Sequence, residues 1–397
     1  MVANPNFNPV QERPEASHPR ESAHPAKQDS TTVERQPHYF IWLDILRGLA
    51  AISILIWHYQ HFFYTAPGLS TLKDITLQPF FRELRIFYIY GATAVQLFWI
   101  ISGFVFANIY TRRAEPVKAG EFFFHRFARL YPLHFMTLIV VAILQFIAIS
   151  ALGHYQIYPY NDFYHFVLNI FFASSWGLER GYSFNAPIWS VSVEIFVYLL
   201  FFLSIPLLAK RPFFTLLIAF LFLLMSFLFP ASQVLLCGAY FFIGSSVFNL
   251  WRVLDAGGVR VSLVGALAGI FLTATAYVLT LRISPLHFLE FGKLVGFPLL
   301  VLLVALLDRL DLFRLGRKIR FLGDLTYSSY LWHVPVQILA LTLIEAFALD
   351  RNMVYSRWFF TAFLALVFGV SYLSFMYIEV PSRRNILRFA SRGSSRR

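Results

Sequence analysis

Residues 40–64 read FIWLDILRGLAAISILIWHYQHFFY. Apart from Asp44 and Arg47 near its start and histidine near its end, this run is apolar and aromatic. It exceeds the roughly 20 residues that a helix needs to cross the hydrocarbon core of a bilayer. Further runs of this kind recur almost to the C-terminus, at 88–110, 132–152, 188–209, 213–229, 232–250, 261–281, 294–308, 322–346 and 357–379. The sequence therefore predicts an all-α polytopic membrane protein with about ten transmembrane helices. A further apolar stretch at 163–176 is too short for a comfortable crossing and reads as one short re-entrant or interfacial helix.

Composition agrees. Of 397 residues, 58% are hydrophobic and only 14% charged, where soluble domains run near one quarter charged. The net charge of +12 could point to nucleic acid, but the basic residues sit mostly at span boundaries, so no nucleic-acid partner is expected and the lipid bilayer is. With ten crossings, 24 Lys and Arg fall on the side of the termini and 8 on the other, with Arg47 within the membrane. That asymmetry predicts a multi-pass protein of the inner (cytoplasmic) membrane with both termini cytoplasmic. Residues 1–38 read as a disordered cytoplasmic tail without a signal peptide, 39–380 as the integral membrane domain and 381–397 as a basic cytoplasmic tail. One cysteine, Cys237, excludes an internal disulfide and any paired-cysteine metal site, so no metal is expected. Walker A, dinucleotide, nucleophile-elbow and zinc-protease motifs are all missing.

Ionisable groups inside spans are expensive and therefore candidates for function. Arg47 and His58 are eleven residues apart, three turns plus about 20°, so they share a helix face with about 16 Å between them along the axis. Arg47 could equally pair with Asp44, and His58 could hydrogen-bond a neighbouring helix. Glu194 lies two turns into APIWSVSVEIFVYLLFF and needs a partner, Arg47 or His58 being the natural ones. Arg126 and Arg129, three apart in FFFHRFARLYPLHF, offer forked donors to phosphate or act as plain basic anchors. Ser102-Gly103 could be a close-packing site. Tyr330 and His333 in FLGDLTYSSYLWHVPVQ either line a watered cavity or belong to an interfacial aromatic belt.

Taken in order, LDILRGLAAISILIWH, LFWIISGFVFANIY, FFHRFARLYPLHF, PIWSVSVEIFVYLLFF, LGDLTYSSYLWHVPV and YIEVPSRR resemble the type-3 family of integral membrane acyltransferases, which includes O-antigen, exopolysaccharide and Nod-factor O-acetylases. The resemblance runs from about residue 40 to 384. It implies that Arg47 and His58 match the family's Arg-x10-His signature, with the histidine as leading catalytic candidate. Arg47 is then expected to stabilise the thioester carbonyl as it becomes an oxyanion, with Glu194 in support. It implies that Arg126 and Arg129 meet the acyl-CoA donor. Ser102 and Gly103, Trp189 and Ser190, and Tyr330 and His333 match further motifs and are read as supporting residues along the substrate path. The double acid common in relatives appears here as Glu194-Ile195, leaving one carboxylate.

What the resemblance implies is an acyl-CoA-dependent O-acyltransferase, with acetyl-CoA as co-substrate, no bound cofactor, and a cell-surface or secreted carbohydrate as acceptor. Some relatives carry a fused extracytoplasmic domain. The sequence ends seventeen residues after Val380, so the expectation is that such a transferase partner is a separate protein. The rival reading is a transporter or exporter of a glycan or lipid-linked substrate with the same polar face lining its path. Its expected mark, a pair of inverted repeats, is not evident.

Overall fold

The computed structural model describes residues 38–113, 115–280, 290, 292–308 and 321–394. The expected tail over 1–38, save its last residue, the basic run from Arg309 to Arg320 and the last three residues lie outside them. The described residues belong to one compact unit that begins at Gln36.

The fold is all-α. Helix α1 spans Ile41–His58, α2 Phe81–Tyr90, α3 Ala94–Tyr110, α4 Ala119–Leu152, α5 Phe163–Ile170 and α6 Trp189–Lys210. After these come α7 Phe214–Leu228, α8 Gln233–Ala256, α9 Val259–Thr280, α10 Phe297–Leu307, α11 Thr326–Ala346, α12 Arg357–Ser374 and α13 Val380–Ser394. The strands β1 (Tyr64–Ala66) and β2 (Leu69–Ser70) form a small antiparallel hairpin that pairs Tyr64 with Ser70.

Among the described residues, six helical segments are long and apolar enough to cross a membrane: Ile41–Phe63, Phe81–Tyr110, Ala119–Leu152, Ala186–Lys210, Gln233–Ala256 and Arg357–Phe389. Phe214–Leu228, Ser262–Ala274 and Gly292–Leu307 are apolar but shorter. Helix α11 has the length, yet carries Tyr327, Ser328, Ser329, Tyr330, His333 and Gln337, all buried. Helix α5 is eight residues, about 12 Å, well short of a bilayer. The outward faces of the apolar helices, long and short, carry exposed aromatics: Phe227 of α7 is 81% and Trp358 of α12 84% exposed, surfaces that lipid rather than water would cover.

Close backbone approach, not side-chain bulk, joins α3 to α8. A Cβ on Gly103 would fall 1.7 Å from the Phe241 carbonyl oxygen, and one on Gly244 would fall 1.9 Å from that of Ile100. Ser245 Oγ donates to the Gly103 carbonyl at 3.1 Å across the same seam. Small residues at a helix crossing are how packing replaces the missing hydrophobic drive inside lipid. Helix α4, 34 residues and about 51 Å long, outruns the bilayer core. Its basic first turns therefore reach the boundary, and Gly153 ends it with φ +82°, a left-handed cap that favours glycine.

Candidate active site

Five helices contribute side chains to a common cleft. On α6, Ser190, Glu194 and Tyr198 follow at four-residue steps and so share a face. Arg126 and Arg129 do the same on α4, and Tyr327 and Tyr330 on α11. Arg47 from α1, and Trp99 and Ser102 from α3, also line it. The cleft holds about 830 Å³ of empty space, part of it open at the mouth.

Its polar groups are held firmly. Tyr330 donates its hydroxyl to the Pro187 carbonyl at 2.5 Å and lies 2.8 Å from Ser190 Oγ. Tyr327 donates to the Leu130 carbonyl at 2.7 Å, and Trp99 Nε1 to the Ser190 carbonyl at 3.3 Å. The Arg126 guanidinium lies over the Phe106 ring at 4.6 Å, and that ring stacks on Tyr198 at 4.4 Å. Arg126 Nε and Glu194 Oε1 are buried with no hydrogen-bond partner among the described residues. Three guanidinium groups and one carboxylate leave the cleft with an excess of positive charge, an arrangement that suits a polyanion.

The partnerships differ in part from those expected. Arg47 makes its ion pair with Asp44 at 3.3 Å, the alternative weighed from the sequence, while still facing the cleft. The neighbours of Glu194 are the Ser102 and Tyr198 hydroxyls, with Arg47 and Arg126 acting on it through space. His58 does not reach Glu194's cleft, because it sits at the other end of α1. It does not bond a neighbouring helix through Nδ1 either, which faces its own helix at the Ile54 carbonyl, 3.1 Å away. Gly103 lies in the α3–α8 seam rather than on the cleft wall, and Trp189 packs edge-on against Trp99 at 5.9 Å.

His58 and His333 instead belong to a second, buried cluster beside the cleft. Their rings are 4.8 Å apart, and the Tyr330 ring, which lines the cleft, lies 5.9 Å from His333. His61 follows at 4.9 Å from His58. Neither ring nitrogen of His333 has a well-formed hydrogen bond. A polar track thus runs from the arginines through Tyr330 to His333 and His58. Among the described residues, no group of three His, Cys, Asp or Glu is placed to hold a metal ion.

Sequence reasoning did not single out His61, Gln337, Tyr158 or Tyr198. Three carried a local signal: His61 stands three residues after His58, Gln337 four after His333 and Tyr198 four after Glu194, each on the same helix face. Tyr158 comes from a loop, where no periodicity marks it.

An all-α membrane protein with an arginine-lined cleft beside a buried histidine cluster is the class that this geometry defines. The chain belongs to the type-3 acyltransferase family, whose model, described as an acyltransferase domain, matches residues 40–376. It is 35% identical over 119 residues to "Protein 2 in picA locus" of Rhizobium radiobacter, covering 30% of this chain and 51% of that protein. It is 29% identical over 171 residues to "Acyltransferase MdmB" of Streptomyces mycarofaciens, covering 42% of this chain and 39% of the relative. The matched regions thus span about half or less of these curated relatives. No solved structure matches significantly.

Proposed function

We propose that the protein is a membrane-bound O-acyltransferase that moves acetyl from cytoplasmic acetyl-CoA to a hydroxyl of a cell-surface or secreted carbohydrate. The observation that carries this reading is the convergence of Arg47, Arg126 and Arg129 on one cleft whose wall residue Tyr330 packs beside His333 and, through it, His58. Family membership supports the acyl chemistry, and the charge asymmetry of the loops supports ten crossings with both termini in the cytoplasm of the inner membrane.

In this reading the 3′-phosphate and diphosphate of the donor rest on Arg126 and Arg129, and the extended pantetheine arm carries the thioester toward His58. Arg47, about 16 Å from His58 along α1, stays with the donor's anionic end rather than stabilising the reacting carbonyl as expected from the sequence. His58 Nδ1, facing the Ile54 carbonyl, carries the proton, which leaves the Nε2 lone pair as the base. Nε2 takes the acceptor's hydroxyl proton as that oxygen attacks the thioester carbonyl. Collapse of the tetrahedral intermediate expels the CoA thiolate, which receives the proton from His58. A covalent acyl-His58 is the other route, and it would retain label without acceptor. His333 stands where a ring N–H could meet the developing oxyanion, and Glu194 balances the guanidinium charge.

The test uses washed membranes holding the full chain, acetyl-labelled acetyl-CoA and the host's own glycolipid fraction. Base-labile label on glycan, dependent on the protein, is the expected result. No protein-dependent label on any fraction would overturn the reading and return the transport alternative.

A further inference from the structure

Helix α1 ends at His58, and the chain tightens into a 3₁₀ turn over Tyr59–Phe63. Carbonyls in the last turn of an α-helix lack an intrahelical donor. The His58 carbonyl finds one on another helix: Gln337 Nε2 of α11 donates to it at 2.8 Å. Only the amide nitrogen can face a carbonyl, so the Gln337 oxygen must point the other way. There it lies 3.0 Å from His61 Nδ1. That nitrogen must then carry the proton, which leaves His61 Nε2 to accept, and the Tyr158 hydroxyl lies 3.5 Å from it. The Gln337 amide thus selects His61 Nδ1 as the donor. Gln337 is fully buried and His61 nearly so.

Gln337 lies one turn beyond His333 on α11, and His61 one turn beyond His58. A single amide therefore ties the two histidine-bearing helices together at the point where their rings are 4.8 Å apart.

We infer that Gln337 and His61 are a positioning pair that sets the His58–His333 geometry, with His61 held as the Nδ1–H tautomer and moving no proton in the reaction. The inference rests on the proposed role of His58. His61 Nδ1 is bonded to the Gln337 amide and its Nε2 faces the Tyr158 hydroxyl, whereas neither ring nitrogen of His333 has a well-formed hydrogen bond, and this separates a positioning histidine from one placed to act.

The experiment has two arms on the full-length protein. In detergent, ¹⁵N and ¹³C imidazole NMR of wild type and His61→Asn assigns the His61 tautomer by difference. The expected state is Nδ1–H, and an Nε2–H tautomer would overturn the network. In membranes, acetyl transfer is compared for His61→Asn, His61→Leu and Gln337→Met at equal protein levels. Asn places its Nδ2–H where imidazole Nδ1–H stood, so His61→Asn is expected to stay close to wild type. His61→Leu and Gln337→Met are expected to lose about tenfold to a hundredfold in kcat, with KM for acetyl-CoA unchanged because the arginine cleft is untouched. An Asn variant as inactive as Leu would assign His61 a proton-transfer role instead. A Leu variant as active as wild type would remove the pair from function. If wild type transfers no acetyl at all, the functional reading fails, while the NMR arm still decides the tautomer.

Discussion

Arg126 and Arg129 differ from the other boundary arginines in what surrounds them. Both face the cleft, and Arg126 is wedged over Phe106 with its Nε unpartnered among the described residues. A guanidinium held this way donates to an anion in a fixed direction, and one charge-assisted bond is worth about 1.5–3 kcal/mol. Arg129→Ala is therefore expected to raise KM for acetyl-CoA by about tenfold or more, with a smaller effect on kcat. Arg129→Lys should recover only part of this, since ammonium lacks the fork. Steady-state kinetics over a range of acetyl-CoA checks both, and an unchanged KM would place the donor elsewhere. At this scale the sequence was readable wherever chemistry follows helical spacing: Arg126 with Arg129, Ser190 with Glu194. Spacing also offered the Arg47–Asp44 pair, one turn apart on the same helix, but it could not show that Glu194 meets Ser102 of α3, because the rotation of one helix against another is a tertiary property.

Among the elements, the α3–α8 seam is the tightest, and it explains Gly103 without reference to substrate. With a Cβ at 1.7 Å from a backbone oxygen, no rotamer relieves the clash and the helices must part. Gly103→Val is expected to lower thermal stability by about 1–3 kcal/mol or more, or to deplete the protein from membranes, as overpacking does. A variant of wild-type stability and level would contradict the packing. Outside the membrane spans, His154 joins the end of α4 to the end of α11. Its Nδ1 faces the Tyr155 carbonyl at 3.1 Å and its Nε2 the Glu345 carboxylate at 2.7 Å. These two acceptors, the carbonyl first, hold the imidazolium and raise its pKa above the ordinary value. A raised folded-state pKa stabilises fully below the unfolded value near 6.5 and is lost as pH rises through the folded one. Thermal midpoints should fall as pH rises from 6.5 upward, and His154→Gln should flatten that slope. An unchanged slope would remove the tie. Periodicity predicted these helices but not their ends. The second span was expected to start at 88, whereas the structure opens α2 at Phe81 and breaks the chain at Gly91–Thr93, where a Cβ on Gly91 would meet the Ser53 carbonyl at 2.4 Å. Such a contact with α1 is invisible to any local pattern.

For the whole molecule, hydropathy alone delivered an all-α membrane protein, and six described segments have the length and composition to cross. The remaining expected spans are harder to read because they are short or polar: α11 gives its inward face to tyrosines, serines, His333 and Gln337. Topology can be tested cleanly, since Cys237 is the one cysteine in the sequence and is buried. A membrane-impermeant thiol reagent added to intact cells should label Arg180→Cys and spare Lys210→Cys. The opposite pattern would invert the orientation. The central claim is that donor binding and chemistry occupy the two ends of one polar track, and the most direct measurement compares two variants in one assay. With labelled acetyl-CoA and membranes at equal protein levels, His58→Ala should bind donor as wild type does yet transfer nothing, while Arg129→Ala should lose donor affinity. Transfer undiminished in His58→Ala, or donor affinity undiminished in Arg129→Ala, would contradict the account.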